Sequence, residues 1–493
     1  MKHSNGDDAQ LSPFWVVAFT GHRDLKNPVA VGRVIREELE VLRREVPGEI
    51  VGYASAAIGA DTLFAEACQS LKIGWVAALP FSPAEFRNDF SENQWSHVTE
   101  LLSRAMDVET SGTSDDRPAA YLRCGLRTVD EADVLMTVWD GEPARGLGGT
   151  AEVVAYARMQ NKPIILIHPD RLKVERESFR DDTFMDPEFS FLNHLRSKQA
   201  PSMDGESPKQ HIERFFQKVD AVATRIAPNF RRWVAASLLM NTVAVALTAA
   251  AIGLGLNSGL LDLLIFLLVA LATLAIAYVK RKDAHYTWMR CRVGAEMCRS
   301  VLATWDLPVV VAPFWFRELQ GFARLAKSLR FLRSSSPPPQ AIDLLAWKEH
   351  YLRTRIDSQI NYFSKRSRAL RRMLLILTPA FWLFSGLAIT RGIFVATVGV
   401  NRFNPELGRV VASFLPFALP LAAGCALSLI SIFDLHRQLA RSHEMKKRLT
   451  AARNQIAQSE NIVTLQNAVE KAEKLFAQEF LEWFVLFRNP RFQ

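Results

Sequence analysis

The chain has 493 residues, long enough for two or three domains with separate cores. A hydrophobic share of 49% and a mean hydropathy of +0.03 argue against both a wholly soluble protein and one that is nearly all membrane, leaving a soluble domain joined to spanning helices. The net charge of +9 gathers beside apolar runs, at Arg231 and Arg232, Lys280 to Lys282, and Arg371 and Arg372, where an anionic leaflet attracts it, so no direct nucleic-acid binding is expected.

The first residues, MKHSNGDDAQLSP, lack the apolar stretch of a signal peptide, which predicts a cytoplasmic N-terminal domain. Apolar runs bounded by turn residues follow at Phe14 to Phe19, Ile50 to Ala54, Trp75 to Leu79, Val134 to Val138 and Ile164 to Ile167. Segments with helical spacing lie between them, such as Val31 to Leu42 and Thr62 to Leu71, and this alternation predicts a Rossmann-like α/β domain with a parallel sheet over residues 1–200. Cys68, Cys124, Cys291, Cys298 and Cys425 form an odd set without C-x-x-C spacing, so neither a disulfide framework nor a metal site is indicated.

In such sheets ligands collect beyond the carboxyl ends of the strands, where glycine turns open helices whose N-termini attract phosphate. The first run leads into Thr20-Gly21-His22-Arg23, the second into Ser55 and then Gly59-Ala60-Asp61. The fourth leads through Trp139-Asp140-Gly141 to Gly148-Gly149-Thr150, which opens a helix over Ala151 to Met159 with Glu152 in its first turn. Each turn alone is ordinary; three on one sheet edge point to a ligand. Asp61 serves equally well as a cap of its own helix, and His22 as a residue that packs its turn.

These residues carry a resemblance. VAFTGHRDL, SAAIGADTLFAEA and EADVLMTVWDGEPARGLGGTAEVVAYA, followed by KPIILI, are in order similar to the SLOG superfamily of nucleotide-binding Rossmann-like domains, which includes the LOG phosphoribohydrolases. The resemblance implies a nucleotide-derived ligand and no further cofactor. It places Gly21 and Arg23 against a phosphate or ribose, Gly59 and Asp61 along the pocket, and Gly148, Gly149 and Thr150 around phosphate. The enzymes' pattern, PGGxGTxxE, sets Glu three residues after Thr. Here Val153 stands there and the carboxylate is Glu152, about 100° around the helix. That displacement favours a sensor over a hydrolase, with a membrane-tethered nucleotide or nucleoside hydrolase using Glu152 or Asp61 as the alternative.

Residues 107–118 and 170–207 are polar and read as surface loops or a linker. Four apolar runs follow, at about 233–256, 260–279, 373–398 and 410–435, each near the 20 residues that cross ~30 Å of hydrocarbon. Turns at Asn257 and around Asn401 join them in pairs. Lys and Arg are dense at the opposite ends, including Arg366, Arg368, Arg441 and Lys447, which predicts cytoplasmic N- and C-termini in a multi-pass cell-membrane protein. Arg391, inside the third run, is expected near the far interface because a charge at the bilayer centre is costly.

Around each pair the chain repeats one outline, an amphipathic helix, basic residues, two spans and a further helix, giving units over 208–333 and 341–493 with a break at the SSSPPPQ segment. The segments HYTWMRCRVGAEMCRSVLATW, WKEHYLRTRIDSQINYFSKRSRAL and EKAEKLFAQEFLEWFVLF resemble the flanking helices of SLATT-type two-span domains. Together the two resemblances imply a homo-oligomeric effector of anti-phage defence that senses a nucleotide messenger and perturbs the bilayer, a sensor rather than an enzyme; a passive anchor or a transporter is the remaining reading.

Overall fold

The computed structural model describes residues 10–111, 116–143, 146–195, 206–226, 229–255, 258–281, 284–308, 321–336, 343–399 and 404–488. The turn at Asn257 and the loop around Asn401 lie outside the described residues, as does most of the SSSPPPQ segment. The elements begin with β1 (Phe14–Gly21), α1 (Pro28–Glu45), β2 (Glu49–Ala54), α2 (Ala60–Ser70) and β3 (Trp75–Leu79). Next come α3 (Pro83–Phe86), α4 (Glu92–Ser103), β4 (Asp107–Thr110), α5 (Arg117–Glu131), β5 (Val134–Val138), α6 (Thr150–Met159), β6 (Ile164–Ile167) and β7 (Val174–Glu177). Then follow α7 (Pro187–Asn193), α8 (Pro208–Ile226), α9 (Asn229–Leu254), α10 (Gly259–Arg281), α11 (Ala284–Ala303) and α12 (Ala323–Ser334). The last part holds α13 (Leu344–Tyr351), α14 (Ser358–Val398), α15 (Pro405–Arg409), α16 (Leu415–Ile432), α17 (Leu435–Ala457) and α18 (Ile462–Arg488).

The strands form one seven-stranded sheet in the order β4-β3-β2-β1-β5-β6-β7. All neighbours are parallel except β6 and β7, which run antiparallel. Side chains of a strand alternate between faces. Trp15, Val17 and Phe19 of β1 therefore pack with α1 and α2 through Ile35, Leu39, Phe64 and Cys68, while Val16 and Ala18 pack with α5 and α6 through Cys124, Val129, Val153 and Val154. The order reverses between β1 and β5, so the crevice at their carboxyl ends is the topological switch point. Two segments read as loops hold strands instead: β4 falls in 107–118 and β7 in 170–207. Both are short, charged edge strands, DVET and VERE, without the apolar run that marks a buried strand.

The chain divides into two compact units that do not follow chain order. The sheet unit takes in residues up to Lys218 and again those from Met297 through α12, so part of the segment assigned by sequence to the first membrane unit belongs with the sheet. The reason is visible in α12, whose basic residues are buried. Arg324 donates to Asp133 Oδ2 at 2.7 Å and to the Phe14 carbonyl at 2.7 Å, and Lys327 donates to Asp133 Oδ1 at 2.9 Å and the Glu131 carbonyl at 2.8 Å. Arg330, 2% exposed, pairs with Glu109, and Phe331 joins the α5–α6 side of the core. Asp133 also accepts from the Val16 amide at 2.7 Å.

The helical unit holds Val219 to Glu296 and the residues from α13 onward. Among the described residues, four of its helices are long and apolar enough to cross a membrane: Arg232–Gly253, Gly259–Tyr278, and stretches within Leu344–Val398 and Pro405–Ala457. These coincide with the apolar runs of the sequence, and Leu260, Leu263, Phe266, Leu271 and Leu274 of α10 are exposed as lipid-facing residues are. The protein is a multi-pass membrane protein. Two stretches of the helical runs are π-helical, Leu352–Asp357 and Val410–Phe414. The first carries the buried Arg355, which pairs with Glu296 and Glu473 at 2.7 Å each, while the Tyr351 hydroxyl donates to Glu473 at 2.7 Å. This cluster ties α11 to α13, to the π-helical turn and to α18.

Candidate functional site

The three turns named from the sequence converge at the carboxyl edge of the sheet. β1 ends at Gly21, and a Cβ there would stand 2.6 Å from the Ala60 Cβ, so glycine is what lets the start of α2 lie against the strand. Beyond it the His22 amide donates to the Val138 carbonyl at 3.1 Å, and the Ala60 amide donates to the His22 carbonyl at 3.0 Å. Gly59 has φ +102°, and a Cβ on it would meet the Arg23 carbonyl oxygen at 2.2 Å. Two backbones touch there, which only glycine allows.

Side chains lock the same turns. His22 Nε2 lies 3.0 Å from Asp140 Oδ1 and 3.2 Å from the Asp140 amide, joining the ends of β1 and β5. Against the desolvation of its place, the Glu142 amide and His22 hold Asp140 below the ordinary carboxylate range. Ser55 donates its hydroxyl to Asp61, whose other oxygen, Oδ1, is buried without a hydrogen bond. Desolvation pushes the Asp61 carboxyl up to about 6, with the Ser55 bond and the Arg23 charge pulling the other way. Thr20 sits one residue earlier on β1, in register with Thr137 of β5.

The third turn precedes α6. Gly148 has φ +83°, and a Cβ there would stand 2.8 Å from the Leu122 amide nitrogen. Its own amide donates to Glu152 Oε2 at 2.5 Å, so Glu152 closes the turn beneath it. Gly149 caps α6 without any side-chain acceptor, and among the described residues the Thr150 and Ala151 amides have no protein acceptor. Gly59 caps α2 in the same bare way. The N-termini of α1, α4 and α5 are instead closed by Asn27, Ser91 and Asp116. The start of α6 therefore keeps the donor character and positive end that bind anions, whereas at α2 the Ala60 amide is taken by the His22 carbonyl and Asp61 stands in the first turn.

Sequence reasoning missed the residue that joins these turns. Tyr121 of α5 lies beneath Gly148, and the exposed Arg23 guanidinium stacks over its ring at 5.2 Å from the centroid. The Tyr121 hydroxyl donates to Asp89, which also pairs with Arg117 at 2.5 Å, and Arg117 covers Phe81 at 4.3 Å. Burial, with the bond to Asp89 next, pushes the Tyr121 phenol up to about 12. The signal was a helix opening at Arg117-Pro118, overlooked once 107–118 was read as a loop, since α5 then had no strand before it to aim its N-terminus at the sheet edge. Among the described residues Arg23 forms no ion pair, which leaves it as a charge for a ligand.

Comparison with known proteins bears on the helical unit. No curated protein matches the chain. Residues 351–483 match the family described as "SMODS and SLOG-associating 2TM effector domain 1". This stretch takes in the π-helical turn at Leu352–Asp357, the third and fourth apolar helices, the flanking helix α17 and most of α18, so the second hairpin with its surroundings is similar to that two-span effector domain.

Proposed function

We propose that the chain is a membrane effector of a defence system, switched by a nucleotide-derived anion bound at the carboxyl edge of the sheet. The observation that carries this reading is the bare N-terminus of α6, with the Thr150 and Ala151 amides unused beside the unpaired guanidinium of Arg23. Phosphate oxygens satisfy both. The ribose and base extend along Gly59, Asp61 and Tyr121, and His22 and Asp140 hold the turns rather than the ligand. The description of the matched family, an effector domain that associates with SLOG domains, supports pairing such a sensor with such spans. Switching requires only that the ligand prefer one state of the spans by a few kcal/mol. Both termini lie in the cytoplasm in this reading, and the active form is a homo-oligomer.

The test uses the full chain in liposomes loaded with a self-quenched dye, exposed to a panel of linear and cyclic nucleotides and NAD. One class of nucleotide is expected to raise the melting temperature and release dye, and Arg23→Ala is expected to weaken both responses about tenfold or more, as loss of a charged hydrogen bond does. Equal responses from Arg23→Ala and wild type would remove the site.

One observation favours a second reading. A buried carboxyl at about 6 is in the range of a general acid or base, so Asp61 is the group on which a hydrolase would depend. Glu152 is spent on the Gly148 amide. Release of a free base or nicotinamide during the same incubations, abolished by Asp61→Asn, would establish the hydrolase; binding without turnover supports the sensor.

A further inference from the structure

Arg391 stands inside the apolar stretch of α14, about two turns or ~10 Å before the helix ends at Val398. Its surroundings explain how a charge is held there. Its Nε donates to the Val411 carbonyl at 2.9 Å and its Nη2 approaches the Ala412 carbonyl at 3.5 Å. Those two carbonyls belong to the π-helical turn Val410–Phe414, where the Leu415 amide donates back to Val410, a spacing of five residues. The next residue is Pro416, which has no amide hydrogen. In π spacing the acceptor it deprives is Val411, and in α spacing it is Ala412. Arg391 supplies donors to both carbonyls, in a region where water is scarce and an unmet carbonyl costs several kcal/mol.

The carbonyls are neutral, so they leave the charge itself unbalanced. Among the described residues Arg391 makes no ion pair. Of the five guanidinium N–H groups, Nε and one hydrogen of Nη2 are used, and the remaining donors, on Nη1 and Nη2, form the paired edge that matches two oxygens of a phosphate. The other hairpin shapes the same place. Gly253 of α9 lies against the π-helical turn, and a Cβ there would be 3.2 Å from the Ser413 Cβ and 3.3 Å from the Phe414 nitrogen, so a larger residue would push the two apart.

We propose that Arg391, held in place by the opened backbone at Val410–Phe414, forms an oxyanion-binding site within the paired membrane hairpins, its free guanidinium donors taking a phosphate group from a lipid headgroup or from solution. This site is independent of the sheet edge and of whether a pore forms.

The test is the melting temperature of the full-length protein in neutral detergent, followed while inorganic phosphate is added at constant ionic strength or, separately, short-chain phosphatidylglycerol. At least one of them is expected to raise the melting temperature by several degrees. Arg391→Met should halve that rise or more, Arg391→Lys should keep an intermediate part, and Arg372→Gln, at the other end of the same apolar stretch, should leave it intact. A response to phosphate assigns a free oxyanion, and a response to the lipid alone assigns a headgroup. Because Arg391→Met also strips two carbonyls of donors, its basal melting temperature falls. Adding Pro416→Ala returns one amide to the turn and should recover part of that basal value without recovering the anion response. Equal rises in wild type and Arg391→Met, or no rise with either anion, overturn the proposal.

Discussion

Burial raises the Asp61 carboxyl to about 6, and the sign of that shift sets how the sheet unit responds to acid. A carboxyl that holds its proton more tightly when folded stabilises the fold fully below the ordinary carboxylate range and progressively less as pH rises to 6. The shift corresponds to about 3 kcal/mol. Asp61→Asn should therefore flatten the fall in stability between pH 4 and 6, read by chemical denaturation across that window; an unchanged slope in the variant would assign the fall to other groups. Asp133 acts in the opposite sense. Lys327 and Arg324 overcome its desolvation and hold it well below the usual carboxylate range, so its contribution is present at neutral pH and lost only on strong acidification. At this scale the glycines were legible in the sequence, because a turn at the end of an apolar run leaves few other residues that fit. Tyr121 and Asp89 were not, because a tyrosine and an aspartate inside polar segments look the same whether they face water or pack beneath a turn.

Among the elements, α12 shows where reading by neighbourhood fails. RLAKSLRFLR follows the first membrane hairpin and has the composition of a helix on a charged leaflet, yet Arg324, Lys327, Arg330 and Arg333 are all buried within the sheet unit. The partners of Arg324, Lys327 and Arg330, which are Glu109, Glu131 and Asp133, lie roughly two hundred residues earlier, and pairing at such distance leaves no periodicity to detect. Asp133→Ala should cost ~3–5 kcal/mol, because two buried cations and the Val16 amide lose their acceptor together. Denaturant melts of the full chain measure this, with Arg44→Ala, which breaks an exposed pair with Glu40, as a control expected below ~1 kcal/mol. A loss no larger than that control would mean the buried pairs add little. The four apolar helices were legible for the opposite reason, since a length of about 20 apolar residues is set by the bilayer and needs no partner in the chain.

At the scale of the molecule, the α/β class and the membrane-spanning part were both readable from hydropathy and turn spacing, and what hydropathy could not show was that the chain returns to the sheet after its first excursion into lipid. A fragment ending at Lys218 should lack a stable fold, because Asp133 and its neighbouring acids are left buried without cations and the space of Phe331 is empty. Joining residues 297–336 to that fragment by a flexible linker in place of the hairpin should restore a soluble, cooperatively melting protein; equal solubility of the two fragments would show that the helix is dispensable.

That return path also imposes a timetable on synthesis. Because Arg324, Lys327 and Arg330 leave the ribosome after α9 and α10, the nascent chain must commit its first pair of oily helices before the α/β part can close. A copy that misses the membrane therefore carries these apolar helices within the sequence of its sheet unit, so insertion into the bilayer and completion of the sheet unit are joined by the order in which the chain is made.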